Sequence, residues 1–251
     1  MKINTSKDDL KDTGLSVSQR DFYNSFIEMG FPNKRKEDWK FTDLEKILNS
    51  NFDQLTPLKE KTKFKCEKIF DFDHYSIINL NGALIDHDLF PKNSIELAET
   101  NLKEVNHLKD HSIFEGAPYN LTPGRPATEL QAKKDQMLSL NLSFVDRGYS
   151  FQIVQNLEKP LVIYNYYNNN LQGKMINNTN SIKILNSKCT IVEVDIDKSK
   201  SSYFKNTFQR YEIQDSEVNY FFINLKKTNG FSYTNNRINI NDLNSKEGSK
   251  F

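Results

Sequence analysis

Apolar positions along the chain fall first at helical spacing and later at strand spacing. Phe22, Phe26 and Met29 recur at i, i+4 and i+7 on one helical face, behind a Ser16/Gln19 capping-box pattern. Gly30 can take the left-handed cap and Pro32 blocks continuation, so a helix is expected from about Val17 to Met29. Thr42 with Glu45 forms a second capping box and predicts a short helix to about Leu48. Residues 1–15 are charged and lack periodicity, as a frayed arm would. Residues 49–73 read as Lys-rich and irregular. Tyr75 to Leu80 reads as a strand, Asn81-Gly82 supplies a two-residue turn with positive φ, and Ala83 to Asp88 is the return strand. Ser94 to about Leu108 is expected to be helical, with Leu97, Leu102 and Val105 apolar.

Gly116, Pro118, Pro123, Gly124 and Pro126 punctuate a loop over residues 109–135, where the main boundary is expected. Two regions follow from it. Residues 1–135 form a helical N-terminal region with a β-hairpin and a Gly/Pro-rich loop; residues 136–251 form a β domain. Gln136 to Phe144 reads as a short helix or turn leading into that domain. Beyond it, β-rich runs recur: Ser150–Val154, Pro160–Tyr166, Ser181–Leu185, Cys189–Ile196, Tyr203–Ile213, Glu217–Leu225 and Phe231–Ile240. Breaks every roughly 8–15 residues suit a sandwich, a barrel or a β-helix. No exact repeat is visible, and periodicity alone does not choose among the three.

Composition narrows the function classes. Aromatics make up 12% of the 251 residues, too many for a disordered chain even at 27% charged residues. A net charge of +1 gives no electrostatic argument for nucleic acid or an anionic membrane. Asparagine is frequent but dispersed, which reads as compositional bias rather than an aggregation segment. Cys66 and Cys189 are far apart, so a disulfide framework is excluded and a reducing compartment is the simpler expectation. Met1 to Arg20 lacks the apolar stretch of a secretory signal, and no run reaches the roughly 18 apolar residues of a membrane span. A cytoplasmic protein is expected.

The segment Gly30-Phe31-Pro32 through Glu37-Asp38-Trp39-Lys40-Phe41-Thr42 resembles the N-terminal signature of SufD/SufB proteins, carried here by Pro32, Arg35, Glu37, Trp39, Lys40 and Thr42. The hairpin Ile77-Ile78-Asn79-Leu80-Asn81-Gly82 is similar to the one that follows in SufD. Leu140-Asn141-Leu142-Ser143-Phe144 with Gly148 resembles the family's lead-in to its β domain. Glu158-Lys159-Pro160-Leu161, Cys189–Glu193 and Phe204–Thr207 resemble later strands of that domain. Order and spacing agree over most of residues 20–240, with SufD favoured over SufB.

The resemblance implies a mainly β fold: a right-handed parallel β-helix preceded by an α-helical N-terminal region with a small hairpin. It implies a non-catalytic scaffold subunit of the SUF iron–sulfur cluster assembly complex, partnered by a SufB-like subunit and a SufC-like ATPase. This chain alone is expected to bind no cofactor, with an iron–sulfur cluster placed at an interface of the complex. Relative to the family, residues 109–135 read as an insertion. The chain reads as C-terminally truncated, ending before the segment that docks the ATPase and before the suspected cluster-handling residues. An uncapped β-helix is expected to be aggregation-prone or partner-dependent.

Read for chemistry, the residues give few candidates. His107 and His111 share a helical face, but Leu108 stands where the zinc-protease pattern needs Glu. A solvated helix face is the favoured reading. Asp86-His87-Asp88 reads as a polar edge strand rather than a cation site. The two cysteines are too few for a cluster within one chain, and Cys189 is expected to be buried. Trp39, amid Lys34, Arg35, Lys36 and Lys40, is expected to anchor the helical region while its basic neighbours stay wet. Gly173-Lys174 lacks the rest of a phosphate loop. Asp195 and Asp197 share a strand face, which suggests the alternative function: a β-helix carbohydrate lyase or hydrolase using strand-borne carboxylates. Surface decoration of a strand is the commoner reading of that pair.

Overall fold

The computed structural model describes residues 2–3, 17–59, 65–92, 94–99, 135–168, 171–225 and 230–241. Helix α1 spans Val17–Met29 and buries Phe22, Tyr23 and Phe26. Gly30 ends it at φ +66°, its N–H bonded to the Phe26 carbonyl at 2.7 Å. This is the left-handed stop that a residue without Cβ makes cheaply. A 3-10 turn at Glu37–Trp39 leads to helix α2, Leu44–Asn51. The N-cap of α2 is Asp43, not Thr42: its carboxylate accepts the Lys46 N–H at 3.0 Å. Aspartate caps as well as threonine and adds negative charge at the positive helix end. Glu45 turns away to the Asn33 amide at 3.0 Å, so the expected capping box does not form. Helix α3, Gln136–Phe144, is capped by Asp135 and buried throughout, because it lies between α1 and strands of the first sheet.

The strands are β1 (Lys2–Ile3), β2 (Gln54–Pro57), β3 (Tyr75–Leu80), β4 (Ala83–His87), β5 (Ile95–Glu99), β6 (Tyr149–Ile153), β7 (Leu161–Tyr167), β8 (Lys174–Leu185), β9 (Lys188–Asp197), β10 (Phe204–Gln214), β11 (Glu217–Asn224) and β12 (Phe231–Asn241). They form two mixed sheets that do not close. The first runs β1-β2-β8-β10-β12, with β6 also on β8 and β5 on β6; the second runs β11-β9-β7-β3-β4. From β7 onward the chain alternates between the sheets, and from β8 onward each strand lies parallel to the last one in its own sheet. Met175 pairs with Phe204 and Phe204 with Phe231; Leu161 pairs with Ile191 and Ile191 with Tyr220. Parallel neighbours need a crossover, and here the strand in the opposite sheet supplies it. The corners after β8 and β10 place Asn186 and Asp215 at φ +48°, a region these two residue types tolerate. In each corner the following serine hydroxyl, Ser187 or Ser216, donates to the carbonyl two residues earlier at 2.6 Å.

Three apolar layers result. Ile77, Ile163, Ile182, Ile184, Ile191 and Ile213 fill one end of the space between the sheets. Phe26, Leu48, Leu140, Met175 and Phe204 seal the helices to the outer face of the first sheet. Ile78, Tyr164, Val192 and Val194 make the outer face of the second, partly covered by Cys66 and Phe70.

Two expectations are corrected. Ile95–Glu99 is a strand, not the start of a helix to Leu108. It pairs antiparallel with β6 and buries Ile95 among the inter-sheet residues. Ile95 and Leu97 alternate with Glu96, a period-2 pattern that the neighbouring strand edge rewards. Residues 49–73 are not uniformly irregular, since Leu55 is fully buried in β2 beside β8. The remainder of the expected helix, His107, His111 and residues 109–134 lie outside the described residues.

Candidate functional site

The other end of the inter-sheet space is polar. Alternation along β9 turns Glu193, Asp195 and Asp197 inward, with exposures of 5, 1 and 9%. On the neighbouring β7, Asn165 donates its amide to Glu193 Oε1 at 2.8 Å and to Asp195 Oδ1 at 3.1 Å. Asn79 of β3 donates in turn to Asn165 Oδ1 at 2.9 Å. From the facing sheet, Lys205 Nζ donates to Asp195 Oδ2 at 2.9 Å and Gln209 donates to Glu193 Oε2 at 3.0 Å. Phenols complete the lining. Tyr220 donates to Glu193, Tyr203 donates to Asp197 at 2.8 Å, and Tyr167 Oη accepts from Lys205 at 3.0 Å. Each buried carboxylate therefore has donors, as burial requires.

Burial pushes the phenols of Tyr149, Tyr167, Tyr203, Tyr211 and Tyr220 well above their ordinary range, and the nearby carboxylates push them further. These hydroxyls stay protonated at any ordinary pH, and those of Tyr203 and Tyr220 serve as donors to the carboxylates. The sequence pattern points to Asp195 and Asp197 but places them on a surface. The structure places them inside, because β9 is buried on both faces and the apolar Val194 and Ile196 point away from the cluster. The groove that carbohydrate chemistry would need is not built by these two residues. Glu193, Asn165, Lys205 and Gln209 were not legible as partners, since their meeting depends on which strands face each other.

The signature residues do not converge on one point. Pro32 is buried and its carbonyl accepts the Glu45 N–H at 3.0 Å. Arg35 is exposed, with its backbone N–H on Asn33 Oδ1 at 3.1 Å. Glu37 pairs with Lys40 at 2.7 Å in solvent, and the Thr42 N–H bonds the Trp39 carbonyl at 2.8 Å. Trp39 is half-buried, its ring 5.5 Å from that of Tyr233 on β12. Lys34, Arg35, Lys36 and Lys40 are exposed around it.

The cysteines lie on opposite faces of the second sheet. Cys189 is buried between the sheets, and burial pushes its thiol up to about 12. Cys66 packs on the outer face, where burial and then Asp86 push its thiol up to about 11. They cannot share a ligand. Asp88 turns to Lys68 at 2.8 Å and to the Ser76 N–H and hydroxyl. Burial works against its charge, but these donors hold its carboxyl below the ordinary value. Asp86 and His87 occupy the edge strand β4, which pairs only with β3 among the described residues. No group of three or more His, Cys, Asp or Glu among the described residues is placed to hold a metal ion.

Residues 10–117 match the family described as "SufBD protein N-terminal region". This match supports membership of the SufB/SufD family. The matched stretch contains α1, the Trp39 turn, α2 and the β3–β4 hairpin, and so includes two of the segments that resemble the family, Gly30–Thr42 and Ile77–Gly82; the later ones lie outside it. At family level, the matched region supports a role in iron–sulfur cluster assembly by the SUF system. No curated protein matches the chain. No helix among the described residues is long and apolar enough to cross a membrane.

Proposed function

We propose that this SufB/SufD-family chain is a SufD-like, non-catalytic scaffold subunit of the SUF iron–sulfur cluster assembly complex, acting by association with a SufB-like subunit. The family match over residues 10–117 carries the reading. In it, the strands that alternate between two sheets are rungs of a right-handed parallel β-helix, and the iron–sulfur cluster is cargo handled at an interface of the complex. Three observations support an associating role. Among the described residues, β11 pairs only with β9 and β12 only with β10. The side chains Phe221, Phe222, Ile238 and Ile240 at that end are 56, 53, 41 and 45% exposed, and open strand edges suit pairing with a subunit of like architecture. The inward carboxylates Glu193, Asp195 and Asp197 all accept from internal donors.

Co-expression with SufB-like and SufC-like proteins, with a pull-down on a tag at Met1, tests the reading. Recovery of the SufB-like subunit is expected. Soluble, cooperatively melting chain that recovers neither partner would contradict it.

A further inference from the structure

The buried pair of Lys205 and Asp195 is arranged for more than an ion pair. Nζ and Oδ2 are 2.9 Å apart, and the side chains are 6 and 1% exposed. Tyr167 Oη holds Nζ from one side at 3.0 Å, which fixes the direction of approach. The other carboxyl oxygen, Oδ1, accepts the Asn165 amide at 3.1 Å. Glu193 Oε1 holds that amide in turn at 2.8 Å. A nucleophile held beside a carboxyl carbon, a donor on the oxygen that will carry charge, and exclusion of bulk water are the elements of acyl transfer.

We propose that Lys205 and Asp195 condense to an intramolecular isopeptide bond joining β9 to β10 across the two sheets. A proton passes along the 2.9 Å hydrogen bond from the ammonium to Oδ2, leaving a neutral amine and a neutral acid. The amine lone pair attacks Cγ, and the charge that develops on Oδ1 falls on the Asn165 donor. The C–N bond forms, the Cγ–Oδ2 bond breaks, and Oδ2 departs as water with the second amine proton. The balance is one ammonium and one carboxylate giving one secondary amide and one water, with no oxidant and no cofactor. Two charges held out of solvent are costly even when paired. Condensation removes both, which gives the reaction its direction in this interior.

Mass spectrometry of the intact, folded full chain tests the proposal. The expected mass is below the sequence mass by one water. Digestion should yield a branched peptide joining the segments that contain Asp195 and Lys205. Lys205→Arg, which keeps the charge but not the amine, should return the full sequence mass. Asp195→Asn should instead lose one ammonia, since the leaving group is then nitrogen. A cooperatively melting wild-type chain that keeps its full sequence mass and gives linear peptides after prolonged incubation would overturn the proposal. So would loss of one water that persists in Lys205→Arg.

Discussion

At the scale of single residues, the interior of this protein depends on pairs that fail when halved. Whether Lys205 holds Asp195 as an ion pair or through the proposed amide, removing it leaves an uncompensated buried carboxylate, which costs about 3–5 kcal/mol. Lys205→Met is expected to lower the stability read from urea unfolding by that amount. The double variant Lys205→Met/Asp195→Leu should recover part of it, because no orphaned charge remains. The cysteines give a second prediction. With both thiols displaced upward, little thiolate exists near neutrality. Thiol labelling of native protein at pH 7 should be slow at Cys66 and negligible at Cys189, and both should react promptly in denaturant.

At the scale of elements, glycine positions show where the backbone is committed. Gly148 sits at φ +139°, and a Cβ there would lie 2.0 Å from the Thr179 carbonyl oxygen. The turn from α3 into β6 therefore requires glycine on two grounds, conformation and close approach. Gly148→Ala should destabilise by more than the roughly 1 kcal/mol of an ordinary substitution and lower Tm. Asn186→Gly, at a left-handed corner with open demand for φ, should be nearly neutral in the same assay. Much at this scale was legible. Helix α1 has the predicted bounds, the Asn81-Gly82 turn joins β3 to β4, and every predicted strand after Tyr149 has its counterpart, within a few residues except that β8 begins at Lys174 rather than Ser181. These elements follow from local chemistry: caps, positive φ and β-branched runs. Elements whose state depends on a distant neighbour were not legible. Ile95–Glu99 is a strand because β6 lies beside it, and Gln54–Pro57 because β8 does. The corner repeat, Leu185-Asn186-Ser187-Lys188 against Gln214-Asp215-Ser216-Glu217, is present in the sequence but too short and degenerate to stand out before the strand pairing is seen.

At the scale of the whole molecule, one interior combines an oily end with a polar, tyrosine-lined end. Five phenols held above their ordinary range favour the folded state fully below the unfolded tyrosine value of about 10, and that contribution is lost as pH rises beyond it. Stability should fall steeply above about pH 10. Ultraviolet titration should show Tyr149, Tyr167, Tyr203, Tyr211 and Tyr220 ionising together with global unfolding, not before it. The same cluster shows why a site can be half visible in a sequence. Asp195 and Asp197 stand out on one strand, whereas Lys205 and Gln209 join them only because β10 crosses to the facing sheet.

As proposed, the chain works by binding a SufB-like subunit. The most direct test is calorimetric titration of the purified, folded chain against a purified SufB-like subunit. Saturable one-to-one binding is expected, weakening at least tenfold when Phe222 and Ile238, on the exposed strands β11 and β12, are replaced by Asp in a variant that still melts cooperatively. Absence of any binding by the folded wild-type chain would contradict it.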